Sequence, residues 1–375
     1  MLQTLLSANG AKWSNRQTSN ETQIVDDFGD TARETEAILN SSAILHCSQW
    51  GRLSFTGKDH QNFLQRMSTN DIDSLENGRG IESVFTEAKG RVIDLATLYH
   101  HAETTLCVVS PDSSEELSNW LSKYTFSEEM TITNIESQSE MIEVWGPKTK
   151  QVVCSAFNID IEKSSPHQLM NSAKIPRDAW FCIRPFDSHN GVRLIVKKEN
   201  ACYIWEQLLA SGAIPAGETS WNSARIELGI PAKPNELNKN HNPWEANLGS
   251  AISLEKGCYI GQEIIARLEA YDKIKKALRG ILFKGKVTPK PGSKLKTEGK
   301  YAGTISSSSS STRTGVIALA YISKDYLGKG TKIFTELENI EGEIVTLPFM
   351  HTDILRNGKR FSEEKKTNQS NVPQN

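Results

Sequence analysis

The residues best equipped for chemistry lie in one short run, Lys256-Gly257-Cys258-Tyr259-Ile260-Gly261-Gln262-Glu263. Two glycines bracket a cysteine and an aromatic, and Gly261-Gln262-Glu263 open the apolar stretch Ile264-Ile265-Ala266-Arg267-Leu268. The pattern predicts a tight turn feeding a helix, with Cys258 just ahead of the first helical turn. There the positive end of the helix dipole and the ammonium of Lys256 would both favour thiolate, the nucleophilic and metal-binding form. The glycines would let a ligand or another chain approach the backbone closely. The same residues also suit an inert cysteine packed in a turn.

Other candidates stand apart from this run. Asp94, in Val92-Ile93-Asp94-Leu95, is a carboxylate among apolar neighbours, either a base or charge stabiliser or a plain edge carboxylate. Arg225 and Glu227 would point about 200° apart on a helix, so both face one pocket only where the chain turns. Arg225 is a ligand contact or a structural ion-pair partner. Trp145 and Phe85 are stacking faces or core. His100 and His101 point to opposite faces of a strand and cannot chelate one ion, and the other histidines lack metal-ligand spacing, so no metal site is predicted. Phosphate-binding loop, nucleophile elbow and dinucleotide fingerprint are all missing. The basic run Lys273, Lys275, Lys276 and Arg279 reads as a solvated face, with docking of RNA or an acidic partner as the alternative.

Irregularly alternating elements must position these residues. The patterns predict a strand from Ala43, a helix over His60–Met67 capped by Asp59, a hairpin over Arg79–Tyr99, and a helix over Glu115–Tyr124. A strand at Met141–Trp145 and a helix at Ala201–Ser211 follow. From Arg279 onward, short strands between glycine and proline turns predict a small β-barrel, with the six serines Ser306–Ser311 as a flexible hairpin loop. The expected units are an N-terminal arm (1–40), two mixed α/β portions (41–130 and 131–275), the barrel (276–355) and a disordered tail (356–375). The 375 residues suffice for a core without disulfide staples, and six scattered cysteines suit a reducing compartment. A net charge of −2 excludes a surface that is basic throughout. No apolar run approaches membrane-spanning length.

The run around Cys258 matches the K-G-C-[aromatic]-x-G-Q-E signature of the YgfZ family. Those are folate-binding relatives of the glycine-cleavage T-protein and include organellar factors that support iron–sulfur cluster assembly. The resemblance extends over roughly residues 40–350 through Pro243-Trp244-Glu245-Ala246-Asn247-Leu248, Arg225-Ile226-Glu227-Leu228-Gly229-Ile230-Pro231, Gly146-Pro147 and Gly90-Arg91-Val92-Ile93-Asp94. It implies an α+β T-protein-like arrangement, two mixed α/β portions plus a small C-terminal β-barrel around a folate-sized opening.

By the same resemblance, tetrahydrofolate or a one-carbon derivative is the implied ligand. Asp94 would assist chemistry at the folate nitrogens, with Arg225, Glu227 and Trp145 as folate contacts. The implied role is support of iron–sulfur cluster assembly or repair, with Cys258 as the functional thiol and any transient cluster shared with a partner protein. The alternative is a folate-dependent one-carbon transferase acting on tRNA or protein. The second aspartate of the T-protein pair is Leu95 here, and the T-protein's folate-binding G-Y-T-G-E-D stretch has no match, the nearest text being Asp187-Ser188-His189-Asn190-Gly191. Both departures argue against glycine-cleavage aminomethyltransferase activity. The wording near Asp94 and over Cys258–Tyr271 looks like the plastid and cyanobacterial branch. That implies a plastid stroma or a cyanobacterial cytoplasm ahead of a mitochondrial matrix, and a monomer.

Overall fold

The computed structural model describes residues 1–18, 22–186, 189–311 and 313–349. The expected disordered tail and the Asp187-Ser188 pair lie outside the described residues. Two five-stranded sheets face each other, and a closed six-stranded barrel abuts them.

The first sheet is antiparallel, in the order Arg79–Thr86, Val92–His101, Thr104–Pro111, Trp50–Thr56, Thr131–Asn134. Its outer face, through Leu53, Phe55, Phe85, Leu98, Cys107 and Val109, packs on the helices His60–Met67 and Ser114–Ser122. Phe63, Leu64 and Met67 form the buried stripe of the former helix. Asp59 precedes that helix, but its carboxylate accepts from the backbone N–H of Glu129 (2.7 Å) and caps nothing.

The second sheet runs Trp180–Phe186, His189–Lys197, Ser139–Trp145, Ala43–His46, Ile214–Ala216, with only the last pair parallel. Its outer face packs on the helices Thr149–Phe157 and Lys198–Ala210. Its inner face meets the first sheet through Leu45, Met141, Ile195, Tyr99 and Val108.

Three expectations are corrected. Residues 1–40, expected as an N-terminal arm, fold into the body of the protein: the helix Leu2–Ala8, the hairpin Lys12–Gln17/Gln23–Asp27 and the helix Thr31–Asn40 bury Leu2, Leu6, Val25 and Ile38 in the cores. The division at 130/131 also fails. The chain visits the second sheet at Ala43–His46 before building the first, and Thr131–Asn134 still belongs to the first. Ser306–Ser311 is no loop, because it ends the long barrel strand Lys300–Ser311, paired with Gly315–Ser323. Backbone pairing overrides serine's weak strand propensity there, and the hydroxyls of Ser307, Ser309 and Ser311 find partners on the neighbouring helix Glu218–Glu227, while those of Ser306 and Ser308 bond to the carbonyls of Leu319 and Pro289. The remaining barrel strands are Lys276–Phe283, Lys294–Thr297, Lys332–Thr335 and Glu341–Val345.

Candidate functional site

Alternation along the strands aims one set of side chains into the space between the sheets. The first sheet contributes Glu82, Leu95, Thr97 and Val108. The second contributes Trp145 and Arg184, and Trp50 and Trp221 add two further rings to the wall of a cavity of about 260 Å3. The rings of Trp145 and Trp221 lie 5.0 Å apart at 38°. Gly191 stands opposite Arg184 across the strands, and a Cβ there would press on the Trp145 ring at 3.2 Å.

Charge in this wall is organised in a chain. Arg184 donates from Nη1 to Thr97 Oγ1 (3.0 Å) and Glu82 Oε1 (3.4 Å), and its guanidinium lies 5.9 Å from the Trp145 ring. Behind it, Glu143 accepts from Arg193 Nε (2.7 Å) and Trp145 Nε1 (2.8 Å). Burial alone would raise the Glu143 pKa, but Arg193, Arg184 and the indole N–H outweigh it and hold the carboxyl below its usual range. Arg193 is 1% exposed, with its guanidinium 5.5 Å from the Trp50 ring.

Beside the inner cavity lies a polar cleft of about 850 Å3. Pro111, Glu218, Arg225, Ala232 and Lys233 line both, so the two adjoin. Arg16 and Lys233 bring cations to the cleft, and Lys233 donates to Glu116 (2.6 Å). Glu218, beside Gln49 Nε2 (3.2 Å), has its pKa raised by burial against the pull of Arg16 and Arg225.

The residues singled out in the sequence distribute unevenly over this site. Trp145 is in the wall. Arg225 touches both cavities, but its donors are committed to Glu236 (2.9 Å), Ile230 O (3.1 Å), Asn222 (2.9 Å) and Ser307 (2.8 Å), so it braces the helix Glu218–Glu227 against the barrel. Glu227 leaves that helix on another side, toward Ser311 (2.7 Å) and Arg313 (3.4 Å), and lines neither cavity.

Asp94 is likewise not in the wall, where its neighbour Leu95 stands. Its fully buried carboxylate accepts from Ser110 N (3.1 Å), Ser110 Oγ (2.7 Å) and Leu95 N (2.8 Å), one layer behind the cavity. Burial raises its pKa, opposed by Lys233 and the Ser110 hydrogen bonds.

Cys258 is exposed but lines neither of these cavities. Lys256 does not serve it. Its Nζ donates to the backbone carbonyls of Gln65 (2.6 Å), Ser68 (2.9 Å) and Asn70, and lies 5.3 Å from the Tyr259 ring. Burial lowers its pKa to about 8. Gly261 has φ +86°, and a Cβ there would meet Glu87 O and Thr86 Oγ1 at 2.8 Å. Tyr259 is buried, whereas Gly257, Gln262 and Glu263 are not, and Glu263 pairs with Arg267 (3.2 Å). The run thus builds a fixed bend with Cys258 at its open side.

Glu82, Arg184, Trp50, Trp221 and Lys233 were not anticipated. A usable signal existed for Arg184 and for Glu143 and Arg193 behind it: each interrupts an apolar strand, the mark of a buried, paired charge.

Two facing sheets around a tryptophan-lined cavity, flanked by a six-stranded barrel, define an α+β protein of the T-protein fold. The chain belongs to the GCVT N-terminal domain family, whose model matches residues 2–256; this is a family of folate-dependent transferases. A relative in Arabidopsis thaliana, named a "putative transferase, chloroplastic", is 32% identical over 350 residues, 92% of this chain and 78% of the relative. The aminomethyltransferase of Bacillus velezensis is 24% identical over 331 residues, 86% of this chain and 90% of that one. Among solved structures, glycine cleavage system aminomethyltransferase T from Bartonella henselae superposes with a TM-score of 0.83 at 20% identity, covering 93% of this chain and 96% of that chain. No helix among the described residues is long and apolar enough to cross a membrane.

Proposed function

We propose that the protein binds a reduced folate across the inner cavity and the adjoining cleft, with the pterin in the inner cavity and the glutamate tail outside. The carrying observation is the pairing of flat tryptophan faces with the carboxylate of Glu82, held by Arg184 in the same wall. A pterin presents N–H and NH2 donors that call for such a carboxylate and a ring that calls for such faces. Glu82 would take the place of the glutamate that the missing G-Y-T-G-E-D stretch supplies. Arg16 and Lys233 would meet the tail carboxylates. Calorimetric titration with tetrahydrofolate tests this. Saturable binding weakened at least tenfold by Glu82→Gln and by Trp145→Ala is expected; binding indifferent to both would overturn it.

Within this reading, the protein supports iron–sulfur cluster assembly or repair through Cys258. The support is the K-G-C-Y-I-G-Q-E resemblance together with a thiol exposed on a fixed bend. The cluster is cargo here. Among the described residues, no group of three or more His, Cys, Asp or Glu could hold a metal, so a partner would supply the other ligands. Cys258→Ser in a null strain should fail to restore cluster enzymes; full restoration would sink the thiol's role. The relative's name favours a plastid setting.

The transferase reading is favoured by the family itself. In it Asp94 would act through Ser110, which lines the inner cavity, as a positioning residue. Label passing from 5,10-methylenetetrahydrofolate to a tRNA or protein acceptor in a single turnover, independent of Cys258, would establish it.

A further inference from the structure

A second polar cavity, of about 390 Å3, lies on the flank of the barrel and shares only Asn235 with the cleft. We propose that it binds a free nucleotide, with the base on the ring of Tyr301 and the phosphates on Lys275 and Lys276. This site goes beyond the folate reading above and does not depend on it.

A base needs a flat face and a hydrogen-bonding edge. Tyr301, on the barrel strand Lys300–Ser311, is 57% exposed, so its ring is open to a partner. Its hydroxyl is hydrogen-bonded to Thr304 Oγ1 (2.9 Å), which fixes the ring before a ligand arrives and lowers the entropy lost on stacking. Asn240 lines the same cavity. Its backbone carbonyl accepts from Arg91 Nη1 (3.2 Å) and Lys276 Nζ (3.3 Å), and its exposed side chain presents an amide donor beside an acceptor. That pair complements the acceptor and donor on the edge of adenine.

Phosphates need cations without competing carboxylates. The described lining contains no Asp or Glu, and it includes Lys275, which is exposed, and Lys276. Lys276 is held in place by Asn240 O and by the Tyr321 ring, 5.3 Å from its centre. The local field is positive. Burial first, then Lys276 and Arg91, push the His241 imidazole down to about 3. Glu245, 4.0 Å from His241 Nδ1, is engaged by Asn242 N (3.1 Å) and lies 3.7 Å from Arg91, so its charge is already balanced. The floor is rigid, because His241 stacks flush on Tyr321 (3.5 Å, 7°), whose hydroxyl donates to Glu236 O (2.7 Å).

The space suits one nucleotide better than a strand. Its volume falls within the range of small-molecule sites, about 300–1,000 Å3. Single-stranded nucleic acid asks instead for successive stacking faces along a groove. Tyr271, the exposed ring of the neighbouring basic run, carries Lys273 Nζ 5.3 Å from its centre and does not line the cavity.

Calorimetric titration of the full chain with ADP at low salt tests the proposal. Saturable binding is expected, weakening as salt rises. Tyr301→Ala and Lys275→Ala should each weaken it at least fivefold, and Tyr301→Phe, which keeps the ring, should stay within about threefold of wild type. Both positions are exposed, so an unchanged urea midpoint should report that the variants are folded. Adenosine and inorganic pyrophosphate should each bind at least tenfold more weakly than ADP, because each carries half of the recognised groups. Pyrophosphate binding as tightly as ADP would reduce the cavity to a plain anion patch. A single-stranded oligonucleotide binding more than tenfold tighter than ADP would make it a strand surface, and competitive displacement of ADP by tetrahydrofolate would make it part of the folate site. Any of these, or the absence of saturable ADP binding, would overturn the proposal. Binding of ADP by a protein that takes no tetrahydrofolate would remove the folate reading and leave this one standing.

Discussion

Glu143 shows how much one buried carboxylate governs in this molecule. It neutralises Arg193, steadies Arg184 and fixes the Trp145 ring through the indole N–H. Replacing it with glutamine leaves Arg193 buried without its counter-ion, and losing one partner of such a pair is worth about 3–5 kcal/mol. Urea unfolding at pH 7 should show Glu143→Gln destabilised by about that much. The folded-state pKa is depressed, so the carboxylate's contribution is present above the unfolded value and disappears as pH falls through the folded one. The gap between wild type and variant should therefore narrow on acidification below about pH 4.3. Glu82 differs, because its side chain is 32% exposed, and its 3.4 Å pair with Arg184 should contribute at most about 1 kcal/mol. Glu82→Gln should spare stability and spoil binding, which separates the two roles by experiment.

At the scale of elements, the bend before the helix Gln262–Ala270 was legible as a bend, and its cause was not. The glycines and the helix start follow from local sequence. The service of Lys256 does not, because its three acceptors sit about 190 residues earlier, at the C-terminal end of His60–Met67 and just beyond it. Proximity in sequence suggested that the ammonium acts on Cys258, whereas helix-end carbonyls, which lack intrahelical donors, claim it. The same limit hid the serine run, whose partners Arg225, Ser223 and Glu227 lie on the helix Glu218–Glu227. Lys256→Met should leave those carbonyls under-satisfied, a loss of about 1–3 kcal/mol. Faster amide exchange in 253–262, with the sheets unchanged, would confirm that the lysine is a strut. Uniform exchange across the molecule would refute it.

At the scale of the whole molecule, the barrel and the broad α+β class were readable because alternation and turn residues act locally. The cavity was not, because its wall is drawn from Trp50, Glu82, Trp145, Arg184 and Trp221, which only the stacking of two sheets brings together. That architecture also puts the exposed thiol and the proposed folate site in different places, and the separation can be measured. Cys258 and Cys154 are exposed, whereas Cys47, Cys107 and Cys182 are buried, and burial pushes their pKa values well up. Alkylation followed by mass spectrometry should mark the exposed pair first and the buried three only on unfolding. Saturating tetrahydrofolate should slow labelling of the buried three, since a ligand that binds only the folded state stabilises it by mass action. It should leave the rate at Cys258 unchanged within about twofold, because that sulfur lies outside the cleft the ligand fills. Strong protection of Cys258 by folate would mean that the bend closes over the cleft on binding, and that thiol and folate act at one centre rather than two.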